Sequence, residues 1–202
     1  NITTSPLTFL HELRDTDTVV LELSSFQLGD LTITQSWKDG QHFSPHIAVL
    51  TNIMQDHLDY YGSMEPYIRD KQVLFRFQTP QDYAVIPSGN PVYELFADTT
   101  AGSVIRYSET TPHTEAIIPP DLPYHGPRIN LTAAILSLRA FKLPPEKISR
   151  CLQDFAGIPH RMETVGTYRK IVIINDTAAT IPSATLASVR SMPKQHIFLI
   201  AG

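Results

Sequence analysis

The sequence predicts an α/β fold with a mostly parallel, Rossmann-like sheet, followed by the first βαβ unit of a second α/β domain. Three short, nearly continuous apolar runs are typical of strands buried on both faces of a parallel sheet. They lie at 18–23, 46–53 and 83–87. Apolar residues recur at helical spacing over 63–78, between two of these runs. The break at Gly157-Ile158-Pro159 predicts a domain boundary between 1–158 and 159–202.

The remaining elements are predicted from capping residues and periodicity. Ser5 is expected to cap a first helix with Pro6 at its first position, and Ser63 to cap the helix over 63–78. Residues 28–45 are expected to form a loop or short turns. Further helices are predicted at 128–142, 145–155 and 181–192, and further strands at 103–107, 171–175 and 196–201. The last strand, helix and strand form the predicted βαβ unit of the second domain.

Composition bounds the class of protein. The 202 residues are 42% hydrophobic and 18% charged, which is enough to bury a sizeable core. The net charge of −4 comes without a basic stripe, so no nucleic-acid partner is expected. No apolar run reaches the roughly 18 residues of a membrane helix, so no membrane partner is expected either. The single cysteine, Cys151, excludes an internal disulfide and fits a reducing cytoplasm. A start without Met and an end in a strand-like run predict a piece of a longer protein.

Two candidate metal ligands follow predicted strands. Glu22 stands at the end of the first strand, and His57 comes shortly after the second. Because carboxyl ends of parallel strands lie on one edge of a sheet, the two side chains can converge. An oxygen and an imidazole ligand suit Mg²⁺ or Mn²⁺ held partly by a phosphate. The alternatives stay open: a salt bridge from Glu22 to a local cation, and a hydrogen-bonded structural role for His57.

A lysine interrupts the apolar face of the helix predicted over 63–78. Lys71 lies three or four residues from Tyr67, Ile68, Leu74 and Phe75. Lysines at such positions commonly extend their amine to water. The other interpretation is a lysine held near the mouth of a site, and its context favours this second interpretation.

Two further candidates lie in the predicted second domain. Arg161 could fork onto a phosphate or ribose, or form a salt bridge with a glutamate. Asp176 ends a strand and could cap the following helix. No glycine-rich phosphate loop occurs in the sequence, so a complete nucleotide site is not expected within these residues.

Taken together, these motifs resemble the ATP-dependent Mur ligases of peptidoglycan synthesis, and most of all the members that add D-glutamate. The similar segments occur in the order of the family over nearly all of the chain. They are Asn1-Ile2, Glu22 to Leu28, Asn52, Asp56 to Asp59, Lys71, Asn130 with Ala133-Ala134, Gly157 to Glu163, and Ile174 to Asp176. The resemblance implies that 1–158 is most of the central ATP-binding domain without its P-loop portion, and that 159–202 begins the C-terminal ligase domain.

The resemblance also implies roles for individual residues. Glu22, His57 and Lys71 resemble the catalytic metal-binding set, with Lys71 as a carbamate. Substrate contacts are implied for Asn1, Ser24 and Gln27, and ATP contacts for Asn130, Arg161 and Asp176. The implied cofactors are ATP and Mg²⁺ (or Mn²⁺), and the implied partners are UDP-N-acetylmuramoyl-L-alanine and D-glutamate. We expect a monomeric cytoplasmic enzyme that works through an acyl phosphate, and no activity from these 202 residues alone.

Two positions depart from the family pattern. Gly126-Pro127 stand where the family usually has His-Asn, and Thr177-Ala178 where it usually has Ser-Lys. They motivate one alternative function, a catalytically silent nucleotide- or sugar-binding module. A nearer alternative is another Mur ligase or a folylpolyglutamate synthase.

Overall fold

The computed structural model describes residues 5–33, 42–122, 124, 126–192 and 196–201. It shows a mixed α/β chain, which confirms the predicted fold class. The candidate substrate contact Asn1 lies outside the described residues. The chain divides into two compact units, which are described separately. The first comprises Asn1–Ala48, Asn52–Ala84 and Asn90–Val104, and the second Val49–Thr51, Val85–Gly89 and Ile105–Gly202.

A three-stranded parallel sheet has the order β1-β2-β3. Its strands are β1 (Ile47–Val49), β2 (Tyr83–Pro87) and β3 (Ser103–Tyr107). The central strand β2 buries Ala84, Val85 and Ile86 completely. Such burial on both faces is what its continuous apolar run predicted. The predicted strands at 83–87 and 103–107 are confirmed, whereas the one predicted over 46–53 is shorter.

The α-helices have the following bounds. They are α1 (Ser25–Ile33), α2 (Leu58–Tyr61), α3 (Met64–Arg76), α4 (Glu94–Ala97), α5 (Arg128–Ala140), α6 (Pro145–Gln153) and α7 (Pro182–Ser191). Short 3₁₀ helices occupy Pro6–Glu12, Pro91–Tyr93 and Glu115–Ile117. Helices α3, α5, α6 and α7 confirm the predicted helices. The predicted cap Ser5 accepts a hydrogen bond from the Leu7 N–H, whereas the Ser63 side chain makes no capping hydrogen bond at the start of α3. None of these helices combines the length and the apolar composition that a membrane span requires.

The strand predicted over 18–23 is wrong. The described backbone there is irregular, and Val20 remains 90% exposed. A strand needs a neighbour to pair its N–H and C=O groups, and no sheet among the described residues pairs with this run. Glu22 therefore does not lie at the end of a strand. The loop predicted from residue 28 is also wrong in its first part, because α1 extends to Ile33.

Helices α1 and α3 pack against each other in the first unit. Gly29 of α1 lies so near Asp70 of α3 that a Cβ at Gly29 would be 2.6 Å from Oδ2 of Asp70. The same carboxylate oxygen accepts a hydrogen bond of 3.0 Å from the Tyr61 hydroxyl. On the buried side, Phe75 of α3 contacts Phe96 edge to face, with ring centres 5.8 Å apart. These contacts fix the part of the chain that carries Lys71.

The second unit has an apolar core between α5, α6 and the 3₁₀ helix Glu115–Ile117. It is formed by Ile117, Leu131, Ile135 and Ile148. Further along, β4 (Glu163–Tyr168) pairs with β5 (Ile171–Asn175) as an antiparallel hairpin. Arg169 and Lys170 between them have φ of 47° and 69°. Two successive positive φ values are typical of the type I′ turns that join tightly paired strands.

The βαβ unit predicted for 159–202 is therefore corrected to a hairpin followed by α7. The strand at 171–175 and the helix are confirmed, but the strand predicted over 196–201 is not formed. Phe198 and Ile200 are 86% and 97% exposed, and no strand among the described residues pairs with this run.

Tyr107 offers a test of the core of the second unit. Its hydroxyl, on a side chain only 1% exposed, donates to the Leu50 carbonyl at 2.7 Å. We expect Tyr107→Phe to lower the free energy of unfolding by about 1–3 kcal/mol, because a buried acceptor loses its donor. Urea denaturation measures this, with the exposed Tyr168→Phe as a control that should change stability by less than about 0.5 kcal/mol. Equal midpoints for the two variants would contradict the assignment.

Candidate active site

The start of α1 is closed by a reciprocal cap between Ser24 and Gln27. The Ser24 backbone N–H donates to Gln27 Oε1 at 2.9 Å, and the Gln27 N–H donates to Ser24 Oγ at 3.3 Å. The Ser24 hydroxyl also lies 3.1 Å from Gln27 Oε1. This is the Ser-x-x-Gln capping box, which satisfies two helix N–H groups. The two predicted substrate contacts are thus held together at one helix end.

Phe26, between them, connects this helix end to His57. Its ring centre lies 4.9 Å from the His57 ring and 4.9 Å from that of Tyr60. It stacks on Tyr61 at 5.5 Å with an interplanar angle of 18°. The sequence analysis assigned no role to this aromatic group, although Phe26 stands between two assigned residues. These ring contacts pack the His57 imidazole against the Phe26 side chain of α1.

His57 has a left-handed backbone with φ of 55°, a conformation uncommon outside glycine. Its N–H donates to Asp56 Oδ1 at 2.9 Å. Its Nε2 lies 3.4 Å from Asp56 Oδ2. Strained backbone of this kind is concentrated at functional sites. Asp56, which the sequence analysis singled out only within a family segment, is therefore part of the surroundings of the imidazole.

Lys71 lies half-buried on α3, and its Nζ is 5.1 Å from the centre of the Tyr67 ring. Burial lowers the pKa of Lys71, and the Asp56 carboxylate partly opposes that shift. Burial also raises the pKa of Tyr67 to about 12, with a further contribution from Asp56. Asp56 is thus within electrostatic reach of both side chains. The structure brings Asp56, His57, Tyr67 and Lys71 into one neighbourhood.

The residues of this neighbourhood fit a divalent cation only in part. Within the described ranges, no three His, Cys, Asp or Glu side chains form a group that could hold a metal ion. Glu22 is exposed in the irregular segment before α1, and it forms no such group of three with Asp56 and His57. Burial lowers the pKa of Lys71, so its neutral amine is more available than that of an exposed lysine.

The second unit holds a second group of candidate residues. The segment before β4 is pinned to the end of β5: the Met162 N–H donates to Asp176 Oδ1 at 3.1 Å, and the Ala178 N–H donates to the His160 carbonyl at 2.9 Å. His160 and Met162 have φ of 63° and 51°. Arg161 projects between these two strained positions and is exposed. The backbone on either side of Arg161 thus fixes the point from which its side chain extends.

One carboxylate oxygen of Asp176 lacks a hydrogen-bond partner. This oxygen, Oδ2, is buried and makes no hydrogen bond within the described part of the chain. Buried carboxylate oxygens are normally paired, because leaving one unpaired costs free energy. A donor supplied by a ligand would satisfy it. This observation favours the ligand-contact interpretation of Asp176 over a helix cap alone.

Asn130 lies in the first turn of α5, near Tyr124. Burial raises the pKa of Tyr124, and the charge of Arg161 and the Asn130 side chain partly oppose that shift. Tyr124 and Arg161 line a cavity of about 450 Å³ in this unit. The structure thus groups Asn130 and Arg161 around Tyr124, a residue that the sequence analysis did not single out.

Comparison with known proteins places the chain in a family. Residues 1–136, more than half of the chain, match the Mur ligase middle domain. The chain belongs to this family of ligases, which confirms the resemblance. The curated relatives that it matches are named UDP-N-acetylmuramoylalanine--D-glutamate ligase. They include those of Streptococcus pyogenes serotype M49 (strain NZ131), serotype M1 and serotype M5 (strain Manfredo).

Each of these three relatives is 31% identical, over 92% of this chain and 43% of its own length. The chain therefore spans less than half the length of these relatives. The matched family domain contains Glu22, His57, Lys71 and Asn130, whereas Arg161 and Asp176 lie beyond it. The roles of these individual residues stay predictions.

Proposed function

We propose that the chain is part of an ATP-dependent ligase that joins D-glutamate to UDP-N-acetylmuramoyl-L-alanine in peptidoglycan synthesis. The names of the relatives support the substrate pair. Within the structure, the observation that carries the proposal is the half-buried amine of Lys71, which lies 5.1 Å from the centre of the Tyr67 ring and within electrostatic reach of Asp56. A cation on the apolar face of α3 conflicts with the residues around it, which supports a functional role for this amine.

The proposed reaction has two steps. ATP phosphorylates the alanine carboxylate to an acyl phosphate, and the amine of D-glutamate then attacks the acyl carbon, so that phosphate leaves and an amide forms. Mg²⁺, when bound, neutralises charge on the transferring phosphate. Lys71 Nζ would add CO₂ with loss of one proton, which forms an N–C bond and an anionic carbamate. The proposed metal ligands are thus His57, Glu22 and this carbamate, which would add the third ligand that the described His, Cys, Asp and Glu side chains do not supply by themselves. Ser24 and Gln27 would contact the sugar-nucleotide substrate, as would Asn1.

The second unit would contribute to nucleotide binding. The unpartnered oxygen of Asp176 is suited to accept a hydrogen bond from a ribose hydroxyl. Arg161 would bind a phosphate, and Asn130 the base. We propose that 1–158 is the central domain and that 159–202 is the beginning of the C-terminal domain. We also propose a monomeric protein in the cytoplasm.

An assay of the full-length protein with different amino acids tests this function. Phosphate release from ATP is measured with UDP-N-acetylmuramoyl-L-alanine and, in turn, D-glutamate, L-lysine and diaminopimelate. We expect release with D-glutamate only. Release with L-lysine or diaminopimelate and none with D-glutamate would instead indicate another Mur ligase. Absence of release with every amino acid would favour the silent binding module, to which Gly126-Pro127 and Thr177-Ala178 point.

A further inference from the structure

The cavity beside Tyr124 has the size and lining of a small-ligand site. Its volume of about 450 Å³ lies within the range of about 300–1,000 Å³ found for such sites. Its lining includes the Tyr124 ring, the apolar side chains of Ile158 and Met162, the cationic Arg161 and the anionic Glu163. The Glu163 carboxylate accepts a hydrogen bond of 2.8 Å from the His160 N–H. An aromatic wall, apolar neighbours and the guanidinium of Arg161 suit a planar heteroaromatic group that carries phosphates.

Gly126 allows the ring of Tyr124 to lie where it does. A Cβ at residue 126 would be 2.4 Å from the Tyr124 hydroxyl oxygen and 2.5 Å from Cζ. Such distances are far below van der Waals contact, so any side chain at 126 would displace the ring. Tyr124 therefore packs on a backbone surface that only glycine leaves open.

Two contacts hold the ring in this place. The Tyr124 hydroxyl donates to the Pro127 carbonyl at 3.3 Å, and its ring centre lies 5.9 Å from that of Phe155. Burial raises the pKa of Tyr124, and the charge of Arg161 and the Asn130 side chain partly oppose that shift. The half-buried ring thus lies near both predicted ATP contacts of this unit.

We propose that Tyr124 is a specificity-determining residue of this ligase, whose ring stacks on the adenine of ATP and is admitted to the cavity by Gly126. This inference rests on the proposed function, because ATP is the nucleotide of that reaction. Stacking of a base on an aromatic side chain contributes enough that its loss weakens binding by about 5- to 150-fold. Tyr124 would thus bind the base, while Arg161 binds phosphate.

The test compares three variants of the full-length protein. We expect Tyr124→Ala to raise the KM for ATP by about 10-fold or more, with kcat and the KM for the sugar nucleotide unchanged. Tyr124→Phe keeps the ring and should raise that KM by less than about 3-fold. Gly126→Ala keeps the tyrosine in the sequence but displaces its ring. Its KM for ATP should therefore rise about as much as that of Tyr124→Ala. The control Tyr168→Ala removes an exposed tyrosine of the same unit and should change nothing.

A base-free probe separates stacking from a general loss of structure. Inorganic tripolyphosphate carries the charge of ATP without its adenine, so its inhibition constant should be equal in the wild type and in Tyr124→Ala. An unchanged KM for ATP in Tyr124→Ala would overturn the inference, and so would equal weakening of ATP and tripolyphosphate.

Calorimetric titration with ATP distinguishes failure of the inference from failure of the proposed function. If the wild type binds ATP but releases no phosphate with any amino acid, the ligase function fails. The ratio of ATP affinities between the wild type and Tyr124→Ala still decides the role of Tyr124 in that case. If the wild type does not bind ATP at all, both proposals are overturned.

Discussion

Lys71→Ala should abolish most of the ATP-dependent ligation by the full-length protein, with a loss of about 100- to 1,000-fold in kcat. The expected loss follows from the proposed carbamate, which supplies negative charge where none of the described carboxylates completes a metal-binding group. Steady-state phosphate release with D-glutamate measures it. Because alanine is a good helix former and Lys71 is only half-buried, the fold of α3 should persist, and circular dichroism checks this.

Two further substitutions separate the carbamate from simple positive charge. Lys71→Arg keeps a cation but cannot add CO₂ at a neutral amine, so we expect it to be as inactive as Lys71→Ala. Arg69→Ala on the same helix removes an exposed side chain that pairs with Glu65 across one turn, and it should retain full activity.

Chemical rescue by an added carboxylate is the most specific test of the proposed carbamate at Lys71. Added acetate or another short carboxylate should restore part of the activity of Lys71→Ala, since it can occupy the space of the missing carbamate. An unaffected rate in Lys71→Ala would rule out the metal role altogether. Activity in Lys71→Arg would show that positive charge is the required property.

The lowered pKa of Lys71 also predicts how its carbamylation depends on pH. Only the neutral amine adds CO₂, and burial makes this form available at a lower pH than in an exposed lysine. Carbamylation of Lys71 should therefore rise with pH.

The elements that the sequence predicted well are those whose signal is complete within a few residues. The apolar run of β2 needs burial on both faces, and Ala84, Val85 and Ile86 have it. Helix α3 combines a clear apolar face with a start at Met64, one residue after the expected cap Ser63. In such segments, local pattern and tertiary packing agree, so the pattern alone is sufficient.

Other elements depend on partners that a local pattern cannot show. The run over 18–23 has the composition of a buried strand, but Val20 is almost fully exposed because the described residues offer it no neighbouring strand. The hairpin of β4 and β5 turns at Arg169-Lys170, although Asn-Gly is the usual sequence of such a turn. Neither outcome follows from residue type.

The residues of the candidate site also divide into those that a local sequence pattern reveals and those that only the folded chain reveals. Lys71 could be singled out because a cation on an apolar helix face conflicts with the pattern around it. Asp56 could not, because acidic residues are common in turns and only the folded chain shows its proximity to Lys71 and Tyr67. The group around Tyr124 depends on the space above Gly126, which is a property of the packed backbone.

His57→Asn should lower the ligation rate by about 10- to 100-fold or more and should raise the Mg²⁺ concentration needed for half-maximal rate. Asparagine is the suitable replacement because it tolerates the left-handed backbone at φ of 55°, where alanine would add about 1–2 kcal/mol of strain. The substitution removes the imidazole nitrogen and the ring that contacts Phe26, while it leaves Asp56 in place. Rates measured across a series of Mg²⁺ and Mn²⁺ concentrations separate weaker metal binding from slower chemistry.

His113→Asn is the matched control for this experiment. His113 has nearly the same backbone conformation, with φ of 66°, and is exposed outside both groups of candidate residues. The same substitution there should leave the rate and its metal dependence unchanged. If His57→Asn shows the metal dependence of the wild type, the imidazole is not a ligand, and its contact with Asp56 is structural. If raised Mn²⁺ restores the rate of His57→Asn but not that of Lys71→Ala, His57 tunes the affinity of a site whose anionic charge comes from Lys71.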